Sequence, residues 1–251
     1  MKTFNFSPIG IISSCYKEKF GIPRQSNLVP AATAELILNK EFAEESVRGL
    51  NVFSHLWINF IFHQTQEQGW KPMVRPPRLG GNSKVGVFAS RSTFRPNPLG
   101  LSVVTLHEIE ITTEQVILHL GGCDLMDGTP VLDIKPYLPY ADSISNAIGG
   151  FAEEKPNALY DVTFTEEAEL QIKSKCEQEN TSLNIIQNRE KEGGCALKTL
   201  IKQTLQLDPR PSYQKQQKSD RIYAMKLYDF DLKWQYVDNN KIKVIALIVL
   251  G

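Results

Sequence analysis

The sequence predicts a mainly β protein, with a barrel or sandwich over residues 1–150 followed by a small α+β domain over residues 151–251. Short apolar runs punctuated by Pro and Gly fill the first 140 residues, with a single helical stretch among them. After about Ile148 the text becomes polar and charged, and from Tyr228 to Tyr236 apolar and polar residues alternate with a period of two. With 251 residues, 41% of them hydrophobic, the chain can bury a sizeable core.

In chain order, FSPIGIIS (6–13) reads as a strand whose early Pro8 predicts a sheet-edge position. KEFAEESV (40–47) is the helical stretch. LWINFIF (56–62) is too short for a typical buried helix and rich in large apolar side chains, so it predicts a buried strand. VGVFAS (85–90) continues the pattern. LSVVTLHEIEI (101–111) and QVILHLGG (115–122), separated by the polar Thr112-Thr113-Glu114, predict an antiparallel hairpin. PVLDIKPY (130–137) follows the turn Met126-Asp127-Gly128-Thr129 as a further strand.

GGFAEEKPN (149–157) reads as a linker. Thr165 ahead of two glutamates opens a helix over TEEAELQIKSKCEQEN, and a second helix spans Gly194 to Leu207, stopped by Asp208-Pro209. Tyr228, Phe230, Leu232, Trp234 and Tyr236 share one face of a strand, and Asp238-Asn239-Asn240 turns the chain into IKVIALIVL.

Several classes of function are excluded. The longest apolar runs fall far short of the ~20 residues a membrane span needs. The segment MKTFNFSPIG has Pro8 and Gly10 where a signal peptide would be apolar, which predicts a cytoplasmic protein. Cys15, Cys123, Cys176 and Cys195 match neither a metal knuckle nor a dense disulfide framework and are expected as free thiols. His55, His63, His107 and His119 are scattered, so no metal is expected. There is no GxGxxG, no P-loop and no GxSxG, which disfavours a Rossmann site, an NTPase and a serine hydrolase.

Zero net charge, 28 basic against 28 acidic residues, hides an asymmetry. The forty residues from Gln68 to His107 carry Lys71, Arg75, Arg78, Lys84, Arg91 and Arg95 and no Asp or Glu. Residues 161–192 hold eight acids against four bases and read as a solvated helix surface. The arginines sit in Pro/Gly loops, and guanidinium forks on stiff loops suit phosphate or carboxylate. Three polar islands interrupt the apolar text: Phe20-Gly21-Ile22-Pro23-Arg24-Gln25, His63-Gln64, and Arg91 to Gly100 with Asp127 and Asp133 downstream.

PRQ at 23–25, FSHLWINFIFHQ at 53–64, RPPRLGG at 75–81, GVFASRSTFRPNPLGLS at 86–102 and DLMDGTPVLDIKPYLPYADS at 124–143 resemble, in order, the TsaA-like family of tRNA methyltransferases. Asp208-Pro209-Arg210-Pro211 and the final hairpin resemble the C-terminal domain of bacterial members. The resemblance implies a single-sheet β-barrel that uses S-adenosylmethionine to methylate N6 of threonylcarbamoyladenosine beside the anticodon of threonine tRNAs. It also implies a homodimer with cofactor near the subunit interface. Carried over by motif, the cofactor site comprises Pro23, Arg24, Gln25, His63, Gln64, Arg91, Leu101, Val131, Leu132, Asp133 and Ile134.

The chemistry fits that reading. The methyl donor wants a guanidinium for its carboxylate, an acidic acceptor for its ammonium and ribose, and apolar walls for adenine. N6 of a carbamoylated adenine shares its lone pair with the adjacent carbonyl and ring, so a general base is needed, with His63, Asp133 and Tyr137 as candidates and Tyr140 behind them. Lys71, Arg75, Arg78 and Arg95 are expected on anticodon phosphates, and Trp70, Phe94 or Tyr137 under an unstacked base. The rival reading is a non-enzymatic RNA-binding barrel, which S-adenosylmethionine would not stabilise against heat.

Overall fold

A computed structural model describes residues 2–177, 195–210 and 221–250. Six antiparallel strands close into a barrel: β1 (Gly10–Ser14), β2 (Thr33–Leu38), β3 (His55–Ile61), β6 (Leu99–Ile111), β7 (Val116–Gly121) and β8 (Pro130–Pro136), in the order β1-β2-β7-β6-β3-β8. A two-stranded ribbon, β4 (Met73–Val74) and β5 (Val85–Gly86), lies in the long excursion between β3 and β6. Alternation decides what fills the barrel. Leu56, Ile58 and Phe60 of β3 point in and meet Ile12, Leu36, Val104, Leu118, Leu120 and Val131, while Trp57, Asn59 and Ile61 face out. Burial of each large apolar side chain stabilises the fold by about 1.5–3 kcal/mol.

The C-terminal half forms a mixed sheet of β9 (Asp161–Phe164), β10 (Ile222–Leu227), β11 (Phe230–Tyr236) and β12 (Lys241–Val249), ordered β10-β11-β12-β9 with β9 parallel to β12. Among the described residues two helices accompany it. Helix α1 (Glu166–Glu177) starts where the Thr165 hydroxyl accepts the Ala168 N–H at 3.1 Å, an N-cap. Helix α2 (Ala196–Gln206) buries Ala196, Leu197, Leu200, Ile201, Thr204 and Leu205, one helical stripe. Their core is shared, because Cys15, Tyr16, Val29 and Ala32 of the N-terminal half pack with Leu227, Phe230, Leu232 and Trp234.

Four sequence expectations are corrected. Pro8 precedes β1 and marks no sheet edge, since β1 closes on β8 through Gly10 and Ile11. VGVFAS contributes only Val85-Gly86 as strand and then turns as a 3-10 segment, Val87–Ala89. The helix expected over 40–47 is one turn, Glu44–Val47. Cys176 and Cys195 are joined in a disulfide between the end of α1 and the residue before α2, whereas Cys15 and Cys123 are free and buried. Burial pushes the Cys15 thiol up to about 12, so it is neutral and unreactive at physiological pH. The helix predicted to Asn180 and the start of the one predicted at Gly194 extend outside the described residues, as does Pro211. Among the described residues no helix is long and apolar enough to cross a membrane.

Candidate functional site

Strand β3 delivers its last residues to one end of the barrel, where the chain leaves the sheet. The Phe62 N–H bonds Pro98 O at 2.8 Å, tying that exit to the start of β6, and His63–Gln68 continues as a 3-10 turn. Gly100 lies beside the exit with the Phe60 ring across it. A Cβ there would stand 2.2 Å from Phe60 Cζ, so glycine is what lets the ring close the end of the barrel.

The Ser90–Arg95 loop is held by its own hydrogen bonds. The Arg95 guanidinium donates to Ser90 O at 2.8 Å and to Val87 O at 3.3 Å, and the Ser90 hydroxyl also donates to Val87 O at 2.8 Å. Lys71 N–H bonds Phe94 O at 3.1 Å while Lys71 Nζ sits 4.0 Å from the Phe94 ring centroid. Two prolines and this lattice of bonds fix Arg91 at the loop's outer edge, where its guanidinium donates to Gln25 Oε1.

These turns enclose a cavity of about 460 Å³, within the range of small-molecule sites. Pro23, Arg24 and Gln25 line one side, His63 and Gln64 a second, Arg91 a third, and the outward-facing Trp57, Ile61, Leu99 and Leu101 supply apolar wall. Asp124 forms the acidic corner. Its Oδ1 accepts the Ser102 hydroxyl at 2.6 Å, and burial raises its carboxyl above the usual carboxylate range, with Ser102 and the charge of Arg91 opposing that shift. Partial desolvation pulls the Arg24 guanidinium down, offset by the Asp208 carboxylate and aided by the positive charge of Arg78.

The structure thus gathers Pro23, Arg24, Gln25, His63, Gln64, Arg91 and Leu101, and separates the others. Val131 is fully buried in the barrel core and Ile134 packs against it, so these two side chains point away from the cavity. Leu132 sits at the register shift between β8 and β3. Asp133 pairs with Asn59, which also pairs with Leu101, so it occupies the same outer face about 10 Å from Leu101. It does not line the cavity, and its carboxylate meets Lys135 Nζ at 2.8 Å.

Tyr137 stands opposite His55, at the far end of β3 from His63 and roughly 20 Å away by strand rise, with its ring beside Trp57. Lys71, Arg75 and Arg78 are exposed outside the cavity, whereas Arg95 is spent on bonds within its own loop. Sequence reasoning missed Asp124 and Ser102 as lining residues. Asp124 stands at the head of the DLMDG motif, and a carboxylate directly after Gly121-Gly122-Cys123 was the available signal.

A closed six-stranded barrel with an arginine-rimmed, acid-cornered cavity at one end defines a β-barrel small-ligand protein outside the Rossmann class. The chain belongs to the TrmO family, since the model of the tRNA-methyltransferase O N-terminal domain matches residues 11–143 and that of the TrmO C-terminal domain matches residues 157–249. It is 48% identical over 239 residues, 95% of each chain, to a protein of Escherichia coli (strain K12) named tRNA (adenine(37)-N6)-methyltransferase. It is 44% identical over 248 residues, 97% of each chain, to Pseudomonas aeruginosa RcsF, described as a candidate S-adenosylmethionine-dependent methyltransferase. A TrmO crystal structure superposes with a TM-score of 0.77 at 38% identity, covering 98% of this chain and 100% of that one. TrmO from Pseudomonas aeruginosa superposes with a TM-score of 0.76 at 37% identity, covering 98% of each.

Proposed function

We propose that the protein is an S-adenosylmethionine-dependent tRNA methyltransferase acting on N6 of the adenine beside the anticodon, with threonylcarbamoyladenosine of threonine tRNAs as substrate. The observation that carries this is the convergence of Arg24, His63, Arg91 and Asp124 on one cavity at a barrel end. The names of the relatives support the reaction and the cofactor.

The residues present fit the donor molecule. Arg91, aimed by Gln25, and Arg24 would hold its carboxylate. Asp124, already a hydrogen-bond acceptor, would take its ammonium or a ribose hydroxyl, and Trp57, Leu99 and Leu101 would flank adenine. When bound, the donor supplies an electrophilic methyl on sulfonium sulfur. What the chain adds is alignment of N6 with that methyl and removal of the N6 proton. His63, on the cavity wall, is assigned as the proton acceptor. Asp133 is engaged by Lys135, and Tyr137 lies at the far end of β3.

Lys71, Arg75 and Arg78 form the RNA-facing rim, with exposed Trp70 and Phe88 available for stacking. Leu99 and Leu101, each about half exposed beside the cavity, support the homodimer, in which a second copy covers this outer wall.

Incubation with labelled S-adenosylmethionine and total tRNA, followed by nucleoside analysis, tests the assignment. The label is expected in methylated threonylcarbamoyladenosine; label in another nucleoside removes the substrate, and no label removes the activity. Arg91→Ala is expected to abolish transfer by weakening cofactor binding at least 10-fold, the loss of a charged hydrogen bond. Calorimetric titration reads this, and unchanged affinity overturns the role. Arg75→Ala with Arg78→Ala is expected to flatten the slope of log affinity for tRNA against log salt by about 0.7 or more per lost phosphate contact, with cofactor affinity spared. An unaltered slope moves the footprint elsewhere.

A further inference from the structure

The cavity wall Pro23-Arg24-Gln25 belongs to the barrel half of the chain, yet the segment leading into it, residues 16–22, is fastened to the C-terminal sheet. Tyr16 bridges Leu227, and the Tyr228 N–H bonds Cys15 O at 2.9 Å. The Lys226 N–H donates to Glu18 Oε1 at 3.0 Å. The Phe20 ring stacks on Trp234 of β11, with centroids 5.8 Å apart and planes within 12°. Gly21, at φ +95°, lets the backbone lie on the Met225 sulfur, 2.4 Å from where a Cβ would be built. Ile22 packs into the same core. Tyr16, Glu18, Phe20 and Gly21 thus meet β10 or β11, and Ile22 their shared core, directly before Pro23-Arg24-Gln25; Lys19 and Ile22 also reach the cavity wall.

We propose that the C-terminal sheet is the positioning frame of the cavity's Pro23–Gln25 wall, with Phe20 and Trp234 as positioning residues for cofactor binding. This rests on the cofactor reading above. Held against β10 and β11, the segment has little freedom to swing, so Arg24 and Gln25 arrive preorganised and Gln25 can hold Arg91 in place. Neither Phe20 nor Trp234 lines the cavity, and their effect on the ligand passes through the backbone that follows Phe20.

The test uses the full chain and two readings: amide hydrogen exchange without ligand, and calorimetric titration with S-adenosylmethionine. Phe20→Ala is expected to speed exchange across residues 17–25 while leaving β3 and β7 unchanged, and to weaken cofactor binding roughly 3- to 10-fold, the range one aromatic pair supports. Phe20→Tyr keeps the stack and is expected to restore both readings. Ile172→Ala, which opens the same core on the α1 side, is expected to lower the melting temperature without either change.

Unchanged exchange at 17–25 in Phe20→Ala overturns the frame, as does equal loss of cofactor affinity in Ile172→Ala, which would mean general loosening. Should Phe20→Ala not fold, Met225→Ala empties the space against Gly21 and is read in the same way. Wild-type protein that fails to bind S-adenosylmethionine sinks the cofactor reading alone, and the exchange arm still decides the frame.

Discussion

Asp208→Asn is expected to destabilise the folded protein by about 3–5 kcal/mol, the cost of leaving one member of a buried ion pair without its partner. Asp208 is 3% exposed and Arg210 is 5% exposed. The Arg210 guanidinium grips the carboxylate through Nε at 2.9 Å and Nη2 at 3.1 Å, and Tyr236 OH donates to it at 2.8 Å. Burial works against the Arg210 charge, yet the Asp208 hydrogen bonds and carboxylate hold its pKa above the ordinary value. The same guanidinium donates to Tyr160 OH at 2.7 Å and lies 3.5 Å from the Tyr236 ring centroid. Asparagine is the informative replacement, because residue 208 has φ +53° and Asn accepts that left-handed backbone while losing the charge. Urea unfolding followed by tryptophan fluorescence reads the loss. Adding Arg210→Met is expected to recover part of it, since the double variant leaves no orphan charge. A single-mutant loss under about 1 kcal/mol would mean the pair contributes as a surface bridge does.

Asp124→Asn should move stability and binding in opposite directions. The Asp124 carboxyl is raised by burial, so the folded state holds its proton more tightly than the unfolded chain. A group of that kind contributes fully below its unfolded pKa of about 4, and the contribution is lost as pH rises through the folded value. At pH 7.5 the wild type therefore carries the cost of a buried carboxylate, which the amide removes. The melting temperature of Asp124→Asn is expected to exceed that of wild type at pH 7.5, with the gap closing towards pH 4. Affinity for S-adenosylmethionine is expected to fall about 10- to 100-fold, as a charge-assisted hydrogen bond is lost. A variant that binds the donor as tightly as wild type would remove Asp124 from the site.

Much of the barrel was legible because its strands are short apolar runs bounded by turn residues. LWINFIF shows itself by its large apolar side chains, and LSVVTLHEIEI by its hairpin with QVILHLGG across Thr112-Thr113-Glu114. Four strands escaped notice. Met73–Val74 (β4) and Asp161–Phe164 (β9) are too short to show a period. TAELIL, β2, is short and headed by Thr and Ala, and IYAMKL, β10, has Ala and Met where β-branched residues are usual; both obtain their stability from neighbours distant in sequence. The site was legible in its arginines and in His63, whose loop chemistry is local. Asp133 was named as the acidic acceptor and Asp124 of the same motif was passed over, because nothing local in the sequence shows that Asp133 meets Lys135 while Asp124 lines the cavity. The pairing of Cys176 with Cys195 was hidden for a similar reason, since a spacing of 19 residues says nothing about how two helix ends meet.

The bond from Lys226 to Glu18 spans 208 positions and the Phe20 stack spans 214. During synthesis, a nascent chain holds every strand of the barrel once Pro136 has left the ribosome, but the surface that receives Phe20 emerges a hundred residues later. Truncated translation products should therefore display a closed cylinder with a slack donor pocket. Such long-range closure is slow relative to local hairpins, so competence for the methyl donor should be among the last properties the growing polypeptide acquires.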